Sequence, residues 1–312
     1  MYRIGIDIGG TNIAAGLVDE ALRIVDRVSV KTDLPTTAEL LQEKAASAAL
    51  ALLERNGLTK EDVESVGVGV PCTADEATGF MEDASHLGFA RGPLAGPLEQ
   101  RLGIKVAIGN DANAAAWGEY KTCGYDADSL IFVTLGTGIG GGIILGGKLW
   151  SGINYAAGEL GHMVIRAGGA ACSCGRTGCF EAYGSATALI GQARERMAHE
   201  PDTLLWQLCG GDGQNVEAKT VFDAARQQDP VAREILDTYI GYLAEGIANI
   251  INIFQPAILC VGGGVSGAGD ALLVPLREKV QPLLYTRNWK RNTRIIPAQL
   301  GNDAGIIGAA ML

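Results

Sequence analysis

The sequence places one histidine and three cysteines within eighteen residues, at His162, Cys172, Cys174 and Cys179. Thiolate sulfur and imidazole nitrogen are preferred zinc ligands, and four of them close a tetrahedral site with no open coordination position. We therefore predict a structural Zn²⁺ site. The alternative is a loop of reduced surface cysteines, since a Cys172–Cys174 disulfide would be badly strained.

Two acidic residues flank this cluster. Glu159 precedes His162 by three residues, and Glu181 follows Cys179 by two. A metal ion on the intervening loop would hold the two carboxylates in a constant relative position, where they could accept hydrogen bonds from a ligand's hydroxyl groups. The spacing alone equally allows two solvated surface acids.

Three glycine-rich turns could bind phosphate. Two are predicted at hairpin tips, Gly9–Asn12 ("GGTN") and Gly136–Gly142 ("GTGIGGG"), and a third is Gly262–Gly264. Glycine lets successive backbone N–H groups approach phosphate oxygens, although each hairpin alone could be an ordinary tight turn. Together they predict ATP with Mg²⁺. A dinucleotide fingerprint at Gly262–Gly267 is the rival, but no acid ends the following strand to hold a ribose.

The composition narrows the class of protein. A chain of 312 residues with 47% hydrophobic residues predicts two domains or lobes with large cores. The net charge of −10 argues against a nucleic-acid binder, and no apolar run is long enough to span a membrane. The first residues indicate a strand and a glycine turn instead of a signal peptide. We therefore expect a cytoplasmic protein, in which seven cysteines, three of them clustered, favour metal binding over disulfides.

The periodicity predicts an α/β protein. Alternate isoleucines mark a first strand that puts Asp7 on its opposite face, and a further strand is expected over Leu22–Thr32. Helices are predicted over Thr37–Arg55 and about Pro230–Ile253. From Leu130 the strand, glycine turn and strand recur, which suggests two halves of similar topology.

Five stretches together resemble the ROK family (repressors, open reading frames and kinases): "DIGGTN", "GNDANAAAWGE", "LGTGIGGG", "GELGHM" and "CSCGRTGCFE". The resemblance covers nearly the whole chain and is strongest to the ATP-dependent sugar kinases of the family. It implies an actin/hexokinase-like (ribonuclease H-like) α/β fold with two lobes and an interlobe cleft. We expect a smaller lobe over residues 1–112, to which a helix over 301–312 returns, and a larger lobe over 113–300 that carries the zinc-binding loop.

The resemblance also implies roles for individual residues. Asp111 resembles the catalytic base, although alone it would be interpreted as a helix N-cap. The expected sugar ligands are Asn110, Asp111, Glu159, His162 and Glu181. The expected nucleotide-binding residues are Asp7, Gly9, Gly10, Thr11, Asn12, Thr137, Gly138, Gly262, Gly263 and Gly264. His162 would use one ring nitrogen for zinc and the other for the sugar.

The implied activity is ATP-dependent phosphorylation of a hexose at its 6-hydroxyl, with D-glucose the expected substrate. Mannose, fructose, allose and N-acetylmannosamine are the alternatives. Cys72 stands where the family usually has glycine and is expected to narrow the sugar pocket, and the loop His86–Phe89 also departs from the family pattern. A sugar-sensing regulator would need a DNA-binding domain ahead of Asp7. We expect a homodimer or homotetramer.

Overall fold

The computed structural model describes the whole backbone of residues 1–312 and every side chain except that of His86. The chain divides into two compact units. The first comprises Met1–Asp128, Gly142–Gly158 and Gln299–Leu312, and the second comprises Ser129–Gly141 and Glu159–Ala298. The expected lobes differ from these units at residues 113–128, 142–158 and 299–300, and as functional lobes they remain a prediction.

The first unit is built on a five-stranded sheet in the order β3-β2-β1-β4-β8. Its strands are β1 (Tyr2–Ile8), β2 (Asn12–Val18), β3 (Ile24–Lys31), β4 (Val63–Val70) and β8 (Val106–Asn110). β1, β4 and β8 run parallel, whereas β2 is antiparallel to both of its neighbours. A smaller sheet joins β5 (Thr73–Asp75), β6 (Phe80–Asp83) and β7 (Gly92–Pro93). The third strand starts later than predicted, because Leu22 lies in a turn with φ 60°.

Helices cover both faces of this sheet. α1 (Ala38–Asn56) and α2 (Ala95–Leu102) contribute to the main hydrophobic core on one face. On the other face lie α3 (Asp111–Thr122) and α10 (Asp303–Ala309). α10 packs directly on the strands, since a Cβ at Gly5 would lie 1.8 Å from the carbonyl oxygen of Ile306. The predicted first helix is confirmed, with Thr37 as its N-cap.

The second large sheet repeats the order of the first, as β11-β10-β9-β12-β13. Its strands are β9 (Leu130–Leu135), β10 (Ile139–Leu145), β11 (Lys148–Leu149), β12 (Ile258–Gly262) and β13 (Arg294–Pro297). Strand β10 leaves the second unit at Gly141 and enters the first at Gly142. The repeated order agrees with the similar topology suggested by the sequence.

The remaining helices belong to the second unit. They are α4 (Glu181–Gly184), α5 (Ala186–Met197), α6 (Leu204–Leu208), α7 (Ala218–Arg226), α8 (Pro230–Phe254) and α9 (Asp270–Val280). The long helix α8 starts as predicted, with Asp229 as its N-cap and proline at its first position. Among the described residues, no helix combines the length and apolar character that crossing a membrane requires. The predicted α/β class is confirmed.

Candidate active site

The candidate residues of the first unit lie at one edge of its sheet. Parallel strands end at the same edge, and the register pairs Asp7 with Gly69 and Gly69 with Gly109. Asn110 and Asp111 follow at the junction of β8 and α3. The fold therefore brings Asp7 and Asp111 to the same sheet edge, although 104 positions separate them in the sequence.

Asn110, and not Asp111, caps helix α3. Its side-chain oxygen accepts a hydrogen bond from the N–H of Asn113 at 3.0 Å, and its Nδ2 donates to the carbonyl of Cys72 at 3.3 Å. Asp111 is the first helical residue, and its Oδ1 accepts from the N–H of Ala112 at 2.8 Å. The interpretation of Asp111 as an N-cap is therefore wrong, because its neighbour performs that role.

Cys72 is buried beside these residues, with 7% of its surface exposed. Burial, together with the negative charges of Asp111 and Asp83, raises the pKa of its thiol to about 12. The thiol therefore stays protonated and occupies volume near Asp111 without acting as a nucleophile. In the neighbouring loop Leu87 is buried, whereas the side chain of His86 lies outside the described part of the chain.

The turn Gly9–Asn12 is closed by a hydrogen bond from the N–H of Gly9 to the carbonyl of Asn12, at 2.9 Å. The preceding Asp7 is enclosed by helix α10, where a Cβ added to Gly305 would lie 2.5 Å from Asp7 Oδ2. Burial raises the pKa of Asp7 to about 6. A cation bound at this edge would favour the ionised carboxylate.

The glycine turns of the second unit lie at one edge of its sheet, because Gly262 pairs with Thr134 at the carboxyl ends of β12 and β9. Gly263, with φ 81°, lies against the backbone of Leu135, so that an added Cβ would be 2.6 Å from its N atom. Helix α5 holds the first turn: the N–H of Ala186 donates to Gly136 O, and Thr187 Oγ1 donates to Thr137 O. Thr137, Gly138 and Gly262–Gly264 are therefore grouped together.

The histidine and three cysteines form one cluster, with ligating atoms that all lie within 4.8 Å of one another. The Sγ atoms of Cys174 and Cys179 are 3.7 Å apart, and Cys172 Sγ is 3.6 Å from His162 Nδ1. Metal–sulfur bonds of about 2.3 Å and metal–nitrogen bonds of about 2.0–2.1 Å imply tetrahedral edges of about 3.8 and 3.6 Å. These two separations match the edges of a tetrahedral metal site, and all four ligating atoms lie near enough to share one ion.

The loop that carries these ligands is anchored to the core. Cys179 and Phe180 are fully buried, and the Phe180 ring packs where a Cβ on Gly246 of α8 would be. Gly178 has φ 80°, and a Cβ there would lie 1.8 Å from the carbonyl oxygen of Arg166. Burial raises the pKa of Cys179 to about 12, so its thiolate would require a compensating cation.

Both flanking carboxylates are connected to this cluster. Glu159 Oε2 lies 3.9 Å from His162 Nε2, whereas Cys172 Sγ lies beside the other ring nitrogen, Nδ1. Partial burial raises the pKa of Glu159, while the charge of His162 lowers it and that of Glu181 raises it. Glu159 therefore borders the histidine of the cluster, and the hypothesis that a metal ion fixes both carboxylates stays a prediction.

Glu181 also contacts the glycine turn, which the sequence analysis did not anticipate. Its Oε2 accepts a hydrogen bond from the N–H of Ile139 at 2.9 Å, and its Oε1 accepts one from Ser173 Oγ at 3.4 Å. A Cβ on Gly138 would lie 2.3 Å from Oε2. One carboxylate thus joins the cysteine loop to the turn proposed for phosphate.

Comparisons with known proteins find relatives that match nearly the whole chain. The glucokinase of Streptomyces coelicolor is 39% identical over 312 residues, which is 99% of this chain and 96% of that protein. An N-acetylmannosamine kinase of Escherichia coli is 32% identical over 321 residues, covering 100% of this chain and 98% of that protein. The crystal structure of a ROK glucokinase from Streptomyces griseus, in complex with glucose and AMPPNP, superposes with a TM-score of 0.87 at 39% identity. The superposition covers 100% of this chain and 98% of that chain.

These matches confirm the predicted actin/hexokinase-like α/β fold. The model of the ROK family matches residues 3–312. We conclude that the chain belongs to the ROK family.

Proposed function

We propose that this protein is an ATP-dependent hexose kinase that phosphorylates the 6-hydroxyl of D-glucose. The observation that carries the proposal is the position of Asp111, at the first turn of α3 and at the carboxyl edge of the first sheet. Asn110 holds this junction through its two hydrogen bonds. The glucokinases among the relatives support the same activity.

Asp111 acts as the general base in this proposal. Its carboxylate accepts the proton of the sugar 6-hydroxyl as that oxygen attacks the γ-phosphorus, and the bond from the γ-phosphorus to the β,γ-bridging oxygen breaks to release ADP. A positioned base contributes about 10²–10⁴-fold to the rate. Mg²⁺ bound with ATP neutralises charge on the phosphate chain.

The backbone N–H groups of two glycine turns bind the phosphates. The turn of the first unit comprises Gly9, Gly10, Thr11 and Asn12. Asp7 lies beside this turn, and its carboxylate attracts the Mg²⁺ that accompanies ATP. In the second unit Thr137 and Gly138 perform the same role. Gly262, Gly263 and Gly264 border the adenosine side. Apart from its chain neighbours, no atom of the described residues lies within 4 Å of a Cβ added to Gly264.

The sugar is bound by Asn110, Glu159, His162 and Glu181. Asn110 uses one Nδ2 hydrogen for Cys72 and retains the other for a sugar oxygen. A structural Zn²⁺ held by His162, Cys172, Cys174 and Cys179 would orient the His162 ring, so that Nε2 is directed toward Glu159. These four ligands would thereby hold the sugar-binding residues in position, and the ion would take no part in phosphoryl transfer.

Cys72 favours an unmodified hexose. Its buried, neutral thiol adds volume beside Asp111, and an N-acetyl group would require additional space. The carboxylates of Glu159 and Glu181 accept hydrogen bonds from ring hydroxyls, and an acceptor left unpaired when the sugar is enclosed weakens binding. We therefore expect D-glucose to be preferred to N-acetylmannosamine, with mannose accepted more slowly.

The proposal is tested by two measurements on the purified protein. Asp111→Asn keeps the shape of the side chain but cannot accept the proton, so kcat should fall by about 10² or more while glucose affinity is retained. A variant within a few-fold of the parent would remove Asp111 from this role. In parallel, kcat/KM is measured for glucose, mannose, fructose, allose and N-acetylmannosamine. An acetylated sugar well ahead of glucose would reject the specificity and leave the kinase activity standing.

We also propose a homodimer or homotetramer in the cytoplasm. Tyr285 and Trp289 support assembly, because 82% and 66% of their surfaces are exposed on the isolated chain. Light scattering during size-exclusion chromatography measures the molar mass directly, and a value near 32.5 kDa would reject an oligomer.

A further inference from the structure

The turn Gly9–Asn12 has no positive charge of its own. Its residues are Gly-Gly-Thr-Asn, and the strand before it contributes the carboxyl group of Asp7. A chain of phosphates carries several negative charges, and phosphoryl-transfer sites stabilise them with Lys, Arg or a metal ion in addition to backbone N–H groups. Beside the Mg²⁺ that accompanies ATP, a cation supplied by another element would therefore add to the stabilisation of the phosphates at this turn.

Strand β3 brings a lysine beside this turn. In the antiparallel pair of β2 and β3, Lys31 is directly opposite Asn12, the last residue of the turn. Residues opposite each other in such a pair stand on the same face, with Cβ atoms about 4.5–5.5 Å apart. Both side chains are exposed, so the ammonium of Lys31, on its flexible four-carbon stem, can reach a ligand held by the turn.

The backbone around Lys31 is held against the same turn. The next residue, Thr32, is fully buried and its hydroxyl donates to the carbonyl of Gly9 at 2.6 Å. The N–H of Thr32 donates to the carbonyl of Thr11 at 3.0 Å. Two hydrogen bonds thus keep the base of the Lys31 side chain at a constant position relative to the turn.

A second nearby lysine, Lys44, is already used by the fold. Its Nζ donates to the carbonyls of Lys31 and Thr32 at 2.8 and 2.9 Å, and to the carboxylate of Asp33 at 2.6 Å. Among the described residues, the ammonium of Lys31 has neither an ion pair nor a hydrogen bond. Of these two cations, Lys31 is the one left to meet an anionic ligand.

We propose that Lys31 binds the phosphate chain of ATP and supplies the positive charge that the turn Gly9–Asn12 lacks. The inference rests on the proposed kinase function and adds a residue to its nucleotide site. It predicts that Lys31 acts on the triphosphate and leaves the sugar unaffected.

The test compares three variants by steady-state kinetics with MgATP and glucose. Lys31→Gln should raise the KM for ATP about tenfold, the size expected for losing one hydrogen bond to a charged group. The KM for glucose should change less than about twofold, and Lys31→Arg should restore most of the ATP affinity because it retains the charge. The control is Lys60→Gln, which removes the same charge from an exposed site before β4. Because β1 and β4 are parallel, that site lies at the opposite end of the sheet from the turn.

Calorimetric titration with MgATP gives a readout that does not depend on sugar chemistry. Lys31→Gln should bind MgATP about tenfold more weakly than the parent, and added KCl should weaken binding less in the variant than in the parent. Unchanged ATP affinity in Lys31→Gln, or an equal loss in Lys60→Gln, overturns the inference. A parent chain that binds MgATP but phosphorylates no hexose would instead overturn the proposed function, and the same titrations would still decide the role of Lys31.

Discussion

Gly138 is the position where one added methyl group would test the sugar site most directly. A Cβ there would lie 2.3 Å from Glu181 Oε2, whereas real Cβ contacts are essentially never below 3.0 Å. The φ of Gly138 is outside the left-handed range, so alanine introduces no backbone strain of its own. Gly138→Ala must therefore push the Glu181 carboxylate away by at least about 0.7 Å, the difference between these two distances.

The expected loss follows from what Glu181 contacts. Displacement weakens its hydrogen bond from the N–H of Ile139, now 2.9 Å, and moves the carboxylate from its proposed position on the sugar. A hydrogen bond to a charged group contributes about 1.5–3 kcal/mol, which corresponds to about a tenfold to 150-fold change in affinity. We expect kcat/KM for glucose to fall by a factor in this range, chiefly through KM.

Gly136→Ala is the matched control. It adds the same methyl group to the same turn, where the atom nearest to the new Cβ is the carbonyl oxygen of Gly138 at 4.0 Å. The φ of Gly136 is also outside the left-handed range. The assay measures kcat and KM for glucose and for ATP in both variants, with the melting temperature as a check on folding. Parental glucose kinetics in Gly138→Ala would refute the reasoning. A rise confined to the KM for ATP would show that the glycine is needed for phosphate and that Glu181 does not bind the sugar.

Two further predictions concern the metal and the buried acid. Elemental analysis should find close to one zinc ion per chain in the parent protein. Cys174→Ser should lose both the zinc and the affinity for glucose, because Glu159 and Glu181 flank the same loop. Full activity of metal-free protein would contradict the hypothesis that zinc fixes these two carboxylates. The pKa of Asp7 is raised from 3.8 to about 6 in the folded chain, so relative stability that is fully present below about pH 3.8 is lost as the pH rises through about 6. Without Mg²⁺ or ATP, denaturant titration at pH 7.5 should therefore give Asp7→Asn a free energy of unfolding about 2–3 kcal/mol higher than that of the parent. The difference should largely disappear near pH 4. Equal free energies of unfolding at pH 7.5 would show that the buried carboxylate of Asp7 does not destabilise the fold.

Local patterns in the sequence correctly predicted those features that depend on residues close together in the chain, such as helix caps and the spacing of metal ligands. The helix over Ala38–Asn56 begins after Thr37, and Gly57 follows it with φ 63°, as capping chemistry requires. The spacing of His162, Cys172, Cys174 and Cys179 predicted a cluster whose ligand atoms do lie close together. Chelation by one short loop depends on few residues, so it can be predicted without the rest of the chain.

The N-cap of helix α3 marks the limit of such patterns. "GND" offers two residues that commonly cap helices, Asn110 and Asp111, and their types do not distinguish them. The structure decides, because β8 pairs with β4 as far as Asn110 and the helix begins at the next residue. If the helix began one residue later, Asp111 would be its N-cap and its carboxylate would be used by the helix instead of being available to a substrate.

The contacts that complete the candidate site join distant parts of the chain. Glu181 meets Ile139 across 42 positions, and Asn12 meets Lys31 through the register of two strands. The carboxylate of Glu119 is fully buried and accepts the N–H groups of Gln299 and Leu300, 180 and 181 positions away. The sequence by itself determined the ligand types, the caps and the glycine turns, because these depend on neighbouring residues. Only the tertiary structure decided which distant groups meet, because strand register and helix packing arise from the burial of the whole core.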